Sequence, residues 1–424
     1  MAENLAKINE SRNEDASQAW LFLSGIALVI NLININIPGY DLVPIACLFF
    51  ITLLSAKYSF FSISIPSNII HLWLLIGAYL CYSFFFSLFY IDFDINEDLR
   101  IARGLASFVL IAFLLQSREL KIESLAKIIV FFCALHVLTI VIQILDYDLK
   151  MSMANLLGFD KESGSFRAFG LSMAYDTAGA WICIGMIFSS YLFKKRSNAK
   201  FLLLILFFWL GGLFTGRTFM LLGTFILFCI FLNIRMKINK MPQIKAIFNT
   251  LLILFLFILS YLLYKFGWII LDLVRFLIDQ NYAVSGEVVS ELADAGYYWG
   301  SAQYLFTRTD AFFMFDKAYE ILFGFQKTLV AVDIGYLKDI YTNGVLGFIF
   351  SLAIYQIIFL TIYKKAKIHN MRFEIFLLIM LYLLMHIKLQ VFFSSGYHEL
   401  LLFIMMAKYS NEKENNKLAG TFQG

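Results

Sequence analysis

Apolar segments of about the length of a membrane span follow one another along the chain, separated by short polar stretches. A helix needs roughly 20 apolar residues to cross about 30 Å of hydrocarbon, and about twelve segments come near that length. They lie near residues 20–37, 41–56, 69–90, 99–116, 125–145, 170–193, 218–234, 247–266, 340–363 and 373–392, with two shorter ones at 201–215 and 398–409. The pattern predicts an all-α, polytopic transmembrane helical bundle of about 11–12 spans.

Composition favours membrane helices over both a soluble domain and a β-barrel. Hydrophobic residues make up 61% and aromatic residues 18% of the chain, and the mean hydropathy is +0.77. These values lie outside the range of a soluble domain of this length. The chain contains 47 Phe but only 4 Pro, which suits long uninterrupted helices.

Lysine and arginine are distributed between the connections in a way that predicts an orientation. Short cytoplasmic loops are enriched in these residues, so we assign to the cytoplasm the connections near 118–127, 194–200, 235–245 and 364–372. The acidic connection 92–98 and the connection near 146–168 then face the exterior. The charged N-terminal stretch is not followed by a small-residue cleavage site, so we expect the first span to be retained.

The chain is predicted to form one membrane domain with one large excursion. Its parts are a cytoplasmic leader at 1–18, transmembrane helices 1–9 at 19–266, a long extracytoplasmic loop at 267–338, transmembrane helices 10–12 at 339–409 and a cytoplasmic tail at 410–424. The loop is too long for a simple connector. Mixed apolar and charged residues at 305–323 predict a short amphipathic helix within it.

Several kinds of chemistry are not indicated by the residues present. With 34 basic and 30 acidic residues the net charge is only +4, so a nucleic-acid surface is not expected. The 5 cysteines are scattered through apolar runs without the spacing of a zinc or redox motif. Neither a Walker-type phosphate loop nor a Gly-x-Ser-x-Gly elbow occurs. We therefore expect no metal, no cofactor and no ATP.

Arginine on the predicted exterior side is the most informative feature. Arg217 lies in a polar string between two apolar runs, where a helix N-terminus and a guanidinium would converge on an anion. Further arginines share that side, against the usual charge bias: Arg100, Arg103, Arg167, Arg275 and Arg308. A phosphate-bearing ligand would explain them. The alternative for Arg217 is that its side chain reaches lipid headgroups, and both readings stay open.

Other polar residues have a structural explanation beside a functional one. Single histidines on apolar helices, here His71, His136 and His386, are typical of packed or hydrogen-bonded side chains rather than metal ligands. His398 begins the last short apolar run on the exterior side and is a candidate substrate-binding residue. The aromatic cluster at 297–304 fits an interfacial belt or a stacking surface for sugar rings.

Four short sequence motifs, which we call strings, follow one another along the chain, and all lie on the predicted exterior side. The first runs from Arg167-Ala-Phe-Gly170 into Asp176-Thr-Ala-Gly179, and the second is Thr215-Gly-Arg-Thr218. The third is Arg308 followed by a stretch that ends in Leu322-Phe-Gly-Phe325. The fourth joins Asp333-Ile-Gly-Tyr336-Leu337 to Tyr341-Thr-Asn-Gly344. Together they resemble the O-antigen polymerase (Wzy) family, within the O-antigen polymerase and ligase superfamily of bacterial membrane proteins.

The resemblance implies a transfer reaction at the outer face of the bacterial cytoplasmic (inner) membrane. The donor would be the growing glycan on undecaprenyl diphosphate, and the acceptor an incoming repeat unit on the same kind of lipid. Membrane lipid, a chain-length regulator and a flippase are the further partners it implies. The ligase branch has a histidine where this chain has Asp333, which favours a polymerase. An O-antigen ligase, or a flippase or transporter of lipid-linked oligosaccharide, remains the alternative.

The implied reaction assigns roles to the residues of the four strings. A departing lipid diphosphate develops negative charge that cations must stabilise, and the chain offers arginines but no matching cluster of metal-binding carboxylates. We therefore expect a metal-independent glycosyltransferase. The expected catalytic residues are Arg217 and Arg308, which grip the diphosphate, and Asp333, which either accepts a proton or merely caps a helix. The expected substrate-binding residues are Arg167, Arg103, Arg275, Asp176, Tyr336 and His398, with Asp176 the reserve proton acceptor.

Overall fold

The computed structural model describes a set of separate stretches of the chain. These are residues 46, 48–53, 67–89, 95–117, 120–156, 167–172, 175–238, 248–250, 252–253, 318–325, 335–368, 371–388, 391–394 and 396–407. The predicted span at 20–37 lies outside them, and those at 41–56 and 247–266 are described only in part. Within these stretches the chain is helical, without a β-strand.

The helices coincide with the apolar segments of the sequence. In chain order they are α1 Ser67–Ser87, α2 Ile95–Ser117, α3 Ile122–Leu145, α4 Tyr147–Leu156, α5 Tyr175–Arg196, α6 Lys200–Gly212, α7 Arg217–Ile238, α8 Ala318–Phe323, α9 Gly335–Ile368, α10 Arg372–Lys388 and α11 Tyr397–Met406. Each predicted segment from 69–90 to 218–234, and from 340–363 to 398–409, corresponds to one of these helices. The hydropathy pattern therefore located nine of these eleven helices. The other two are α4, in the predicted connection near 146–168, and α8, in the predicted loop 267–338.

Four helices in the described part of the chain are long and apolar enough to cross a membrane. They are Ile69–Ser87, Ile122–Leu145, Tyr175–Arg196 and Lys338–Ala366, and shorter apolar helices lie at Lys200–Gly212, Phe219–Arg235 and Tyr397–Met406. α10 has only 17 residues, and the first half of α2 carries several charged residues. The described residues thus fit a polytopic helical membrane protein.

Helix α5 is the centre of the bundle. It packs against α3, α6, α7 and α10, and 89% of its apolar window is buried inside the protein. Small residues let its neighbours approach closely: a Cβ on Gly185 would lie 2.7 Å from Cβ of Cys133 on α3, and one on Gly179 would lie 2.8 Å from Cβ of Phe219 on α7. Glycines in α5 therefore set the spacing of the bundle.

The bundle has two chemically different ends. At one end, which we call the basic end, Lys194 contacts Glu374 at 3.1 Å, and Glu123 contacts Lys127 at 3.2 Å and Lys195 at 3.0 Å as well as Arg196. The opposite end, which we call the site end, gathers the starts of α2, α5, α7, α9 and α11 and the ends of α1, α3, α6 and α10. Its contacts include Tyr397 OH donating to Thr177 O at 3.2 Å. The sequence separated the same two groups of connections by charge.

Helix α9 differs from its prediction at its start and in its course. It begins at Gly335, so the last residues of the predicted loop 267–338 are helical. It is also broken at Gly344, which has φ 70° and ψ 177°. In α8, Phe323 stacks on Phe86 of α1 with ring centroids 4.3 Å apart. The predicted amphipathic helix at 305–323 is described only over these last six residues, Ala318–Phe323.

Candidate functional site at one end of the bundle

Residues 167–172 form a loop that α3 holds from one side. Oε1 of Gln143 accepts a hydrogen bond from the N–H of Gly170 at 2.9 Å, and Nε2 of Gln143 donates to the carbonyl oxygen of Gly170 at 2.9 Å. The N–H of Leu171 donates to Nδ1 of His136 at 3.0 Å. Gly170 has φ 60°, and a Cβ there would lie 2.7 Å from the His136 ring. His136 is thus a hydrogen-bonded histidine, as the sequence predicted.

This loop meets the polar string before α7. The N–H of Ala168 donates to the carbonyl oxygen of Phe214 at 2.9 Å. A Cβ on Gly216 would lie 3.7 Å from Oδ1 of Asp176, which is in the first turn of α5. The first and second family-like strings therefore contact each other, although Asp176 and Thr215 are 39 positions apart in the chain.

The predicted ligand-binding residues of this region are Arg167, Asp176 and Arg217. Arg167 is half-buried, and its guanidinium lies 5.9 Å from the ring centroid of Tyr175. Arg217 is the first residue of α7; the structure describes its backbone and not its side chain. A helix N-terminus, a carboxylate and one described guanidinium thus share this part of the site end.

The third and fourth strings also contact each other. The N–H of Phe325 donates to the carbonyl oxygen of Tyr341 at 2.8 Å. A Cβ on Gly324 would lie 2.3 Å from the carbonyl oxygen of Thr342, and one on Gly344 would lie 2.2 Å from that of Leu322. The two backbones can come this close only because both positions are glycine.

Two arginines on α2, the half-buried Arg100 and the buried Arg103, hold the 391–394 turn between α10 and α11. Nη1 of Arg100 donates to the carbonyl oxygen of Phe392 at 2.9 Å, and Nη2 of Arg103 donates to that of Phe393 at 2.7 Å. Phe393 has φ 54°, an uncommon conformation for a residue with a side chain. The turn is therefore a strained segment that two cationic side chains stabilise.

Counter-charges surround this turn. Nη2 of Arg100 lies 3.2 Å from Oδ1 of Asp339 on α9, and Oδ2 of Asp339 lies 3.2 Å from Nε2 of His386 on α10. On α11, Glu399 accepts hydrogen bonds from Ser107 at 2.9 Å and from the N–H of Gly396 at 2.7 Å. Buried charges are costly unless they are paired. The site end therefore contains a polar interior whose charges compensate one another.

His398 is completely buried, and both of its ring nitrogens have partners. Nε2 lies 3.2 Å from the carbonyl oxygen of Gly104, which can only accept, so Nε2 carries the proton. Nδ1 then accepts from Tyr355 OH at 2.8 Å, and that hydroxyl oxygen accepts from the N–H of Phe393. In this structure His398 thus supports the 391–394 turn.

The structure describes only some of the predicted site residues. Arg103, Arg167, Asp176, Tyr336 and His398 all belong to the site end, with Tyr336 in the first turn of α9. Arg275, Arg308 and Asp333 lie outside the described residues. The sequence did not single out the polar residues that pair with the arginines and histidines, among them Asp339 and Tyr355. Asp339 and Asn343 lie four residues apart on one helical face, and that spacing was an available signal.

Two further features of the described residues concern metal binding and lipid binding. No three His, Cys, Asp or Glu side chains among them are grouped as a metal site would require. An apolar groove of about 260 Å³ runs between α9 and α10 and is lined by Leu352, Phe359, Leu383 and Phe392, among others. Its lining suits a hydrocarbon chain.

No protein-family model and no curated protein sequence matches this chain. The resemblance to the O-antigen polymerase family therefore rests on the four strings and on the way they meet.

Proposed function

We propose that this chain is a polymerase of lipid-linked glycans in the bacterial cytoplasmic membrane. It transfers the growing glycan from undecaprenyl diphosphate to an incoming repeat unit on the same lipid, at the outer face. The observation that carries the proposal is the pairwise contact of the four family-like strings. Gly216 lies against Asp176, and the N–H of Phe325 bonds to the carbonyl oxygen of Tyr341, both at the site end.

The arginines of the site end suit the leaving group. When the bond from the anomeric carbon to the diphosphate breaks, the electron pair leaves with the diphosphate oxygen. Fixed cations stabilise the charge that develops there without first having to reorganise. In this proposal Arg217 and Arg308 grip the diphosphate, and Arg167, Arg103 and Arg275 strengthen the positive field around it.

The reaction also requires a proton acceptor for the acceptor sugar and a binding surface for the lipid. Asp333 is the proposed proton acceptor for the attacking hydroxyl, with Asp176 in reserve beside Gly216. Tyr336 and His398 belong to the same end, His398 through its support of the 391–394 turn. The apolar groove between α9 and α10 is a surface on which part of a lipid tail can lie.

The proposal includes a topology of about 11–12 spans with both termini in the cytoplasm. The basic end then faces the cytoplasm and the site end the exterior. Cysteine-accessibility labelling of the intact cell tests this orientation. A cysteine placed at exposed Asn198 of the basic end should react only after the membrane is made permeable.

Two other functions use the same kind of ligand. A ligase would move the finished glycan to a lipid A core, and a flippase would carry the lipid-linked repeat unit across the membrane. Transporters distribute their polar residues along a path through the bilayer. The concentration of arginine at the site end favours a one-sided reaction site.

Deletion of the gene separates these functions by the surface polysaccharide that remains. A polymerase deletion leaves glycan capped at one repeat unit. Full-length glycan that stays unattached to its core identifies a ligase instead. Loss of every extracytoplasmic repeat unit identifies a flippase. The polymerase proposal fails if either of the last two results is obtained.

A further inference from the structure

Asp98, in the first turn of α2, has a buried carboxyl group, and one of its oxygens has no hydrogen-bond partner among the described residues. Its exposure is 5%. Oδ1 lies 2.5 Å from the hydroxyl oxygen of Ser83, whereas Oδ2 is buried and has no hydrogen-bond partner in the described part of the chain. A buried carboxylate oxygen without a donor is unfavourable. Oδ2 of Asp339 also accepts no hydrogen bond from the described residues, but it lies 3.2 Å from Nε2 of His386. Among the described residues, no such basic group lies against Asp98.

Ser83 connects Asp98 to the break in α9. Its hydroxyl oxygen also lies 3.1 Å from the side-chain amide of Asn343, the residue that precedes Gly344. Both Ser83 and Asn343 are fully buried. The backbone carbonyl of Asn343 accepts from Tyr82 OH at 3.0 Å, which fixes the position of the residue. Three polar side chains from α1, α2 and α9 thus form one short chain of hydrogen bonds.

These hydrogen bonds can run in either of two directions, because the hydroxyl group of Ser83 carries a single proton. If Asp98 is ionised, Ser83 donates to Asp98, and Asn343 must turn its N–H toward Ser83. If Asp98 is protonated on Oδ1, Asp98 donates to Ser83, and Ser83 donates to the amide oxygen of Asn343. Which atom of the amide faces Ser83 is therefore coupled to the protonation of Asp98.

The neighbouring charged groups are occupied with one another. On α2 and α9, Arg100 contacts Asp339, which also contacts His386 on α10. Arg103 donates to the 391–394 turn, and Glu399 of α11 accepts from Ser107 and Gly396. No ion pair joins Asp98 to a cation within the described residues. Its charge can consequently change without breaking a salt bridge.

We propose that Asp98 is a proton-exchanging group of the site end and that Ser83 and Asn343 relay its state to the break in α9. In this role, which rests on the proposed polymerase function, Oδ2 of Asp98 takes the place given above to Asp333 and receives the hydroxyl proton of the acceptor sugar. The sugar oxygen forms its bond to the anomeric carbon, and the bond from that carbon to the diphosphate oxygen breaks. The electron pair leaves with the diphosphate, and Asp98 later releases the proton to water.

Infrared difference spectroscopy of the full chain in lipid nanodiscs tests the proton site without reference to catalysis. Across a pH titration, the wild-type protein should show a carboxylic-acid band that Asp98→Asn removes. Ser83→Ala should shift this band, because Oδ1 of Asp98 then loses its hydrogen bond to the hydroxyl group. Ser87→Ala is the matched control, since Ser87 lies one turn further on and, among the described residues, donates to the carbonyl oxygen of Phe84. An unchanged band in Asp98→Asn overturns the proposal.

Glycan extension in cells tests the role of Asp98 in the reaction. We expect Asp98→Asn to slow extension by at least about a hundred-fold, the usual effect of losing a proton acceptor, while Asp148→Asn, an exposed change on α4, leaves it unaltered. Normal extension in Asp98→Asn overturns this role. If the wild-type chain extends no glycan but the titrating band is present, the polymerase proposal fails and the proton site stands. If Asp98→Asn does not fold, the band shift in Ser83→Ala decides the question.

Discussion

Gly324 and Gly344 form a reciprocal backbone contact. Their φ angles are 74° and 70°, and a Cβ on either would lie within 2.4 Å of backbone atoms from the other's segment. The contact fixes the segment after α8 against the break in α9. It thereby joins the third string to the fourth.

Alanine at either glycine should separate these segments. Gly324→Ala and Gly344→Ala each combine a left-handed backbone with a clash against backbone atoms, so we expect a destabilisation of about 1–3 kcal/mol or more. Thermal unfolding of the purified protein measures it. Gly77→Ala is the control, because a Cβ on Gly77 of α1 meets nothing within 4 Å. Equal melting temperatures for all three variants would contradict the tight contact.

The buried pair of Arg100 and Asp339 should contribute far more to the free energy of unfolding than the exposed pair of Arg196 and Glu123 at the basic end. Their side chains are 14% and 2% exposed. Asp339→Asn removes the charge that compensates Arg100, and breaking a buried pair in this way costs about 3–5 kcal/mol. Arg196→Ala removes a side chain that is 48% exposed, so its expected cost is below about 1 kcal/mol. Similar losses for the two variants would count against the buried network.

The hydroxyl group of Tyr355 should stabilise the strained 391–394 turn. Tyr355→Phe leaves the N–H of Phe393 and Nδ1 of His398 without their partner, which costs about 1–3 kcal/mol. Hydrogen exchange at Phe393 should accelerate accordingly. Tyr363→Phe, at an exposed position further along α9, should change neither quantity. Unchanged protection of Phe393 would show that the turn holds without Tyr355.

The proposed diphosphate grip makes Arg217 and Arg308 essential for chain extension. Each change to alanine should lower extension at least about a hundred-fold, because a fixed cation at the leaving group is lost. The protein should still be found in the membrane. Arg372→Ala, an exposed change at the start of α10, is the matched control. Wild-type extension in both variants would refute the grip.

Extension should also continue when divalent metal is removed. If arginines alone stabilise the leaving group, purified enzyme with lipid-linked substrate should keep its rate in the presence of a chelator. Strict dependence on added Mg²⁺ would require a different account of leaving-group stabilisation.

Much of the described architecture could be predicted from the sequence, because a membrane helix is a local property. Residues 125–145 or 218–234 are apolar over the length of a span, and every backbone group in a helix is satisfied within the segment itself. The count of lysine and arginine in each connection also separated the connections of the basic end from those of the site end. The start of α9 was placed about five residues late, because the polar stretch from Gly335 conceals a helix that buries Asp339 and Asn343.

The pairing of polar side chains was decided only by the tertiary structure. Hydropathy counts Asp98, Ser83 and Asn343 as separate polar residues on three helices, and nothing in the sequence brings them together. Their contact depends on how α1, α2 and α9 pack, which is set by side-chain shape and by glycines such as Gly324 and Gly344. The sequence by itself thus determined which segments become helices and which connections share an end. The packing of those helices determined which charges meet, because a buried polar group is stable only where another element supplies its partner.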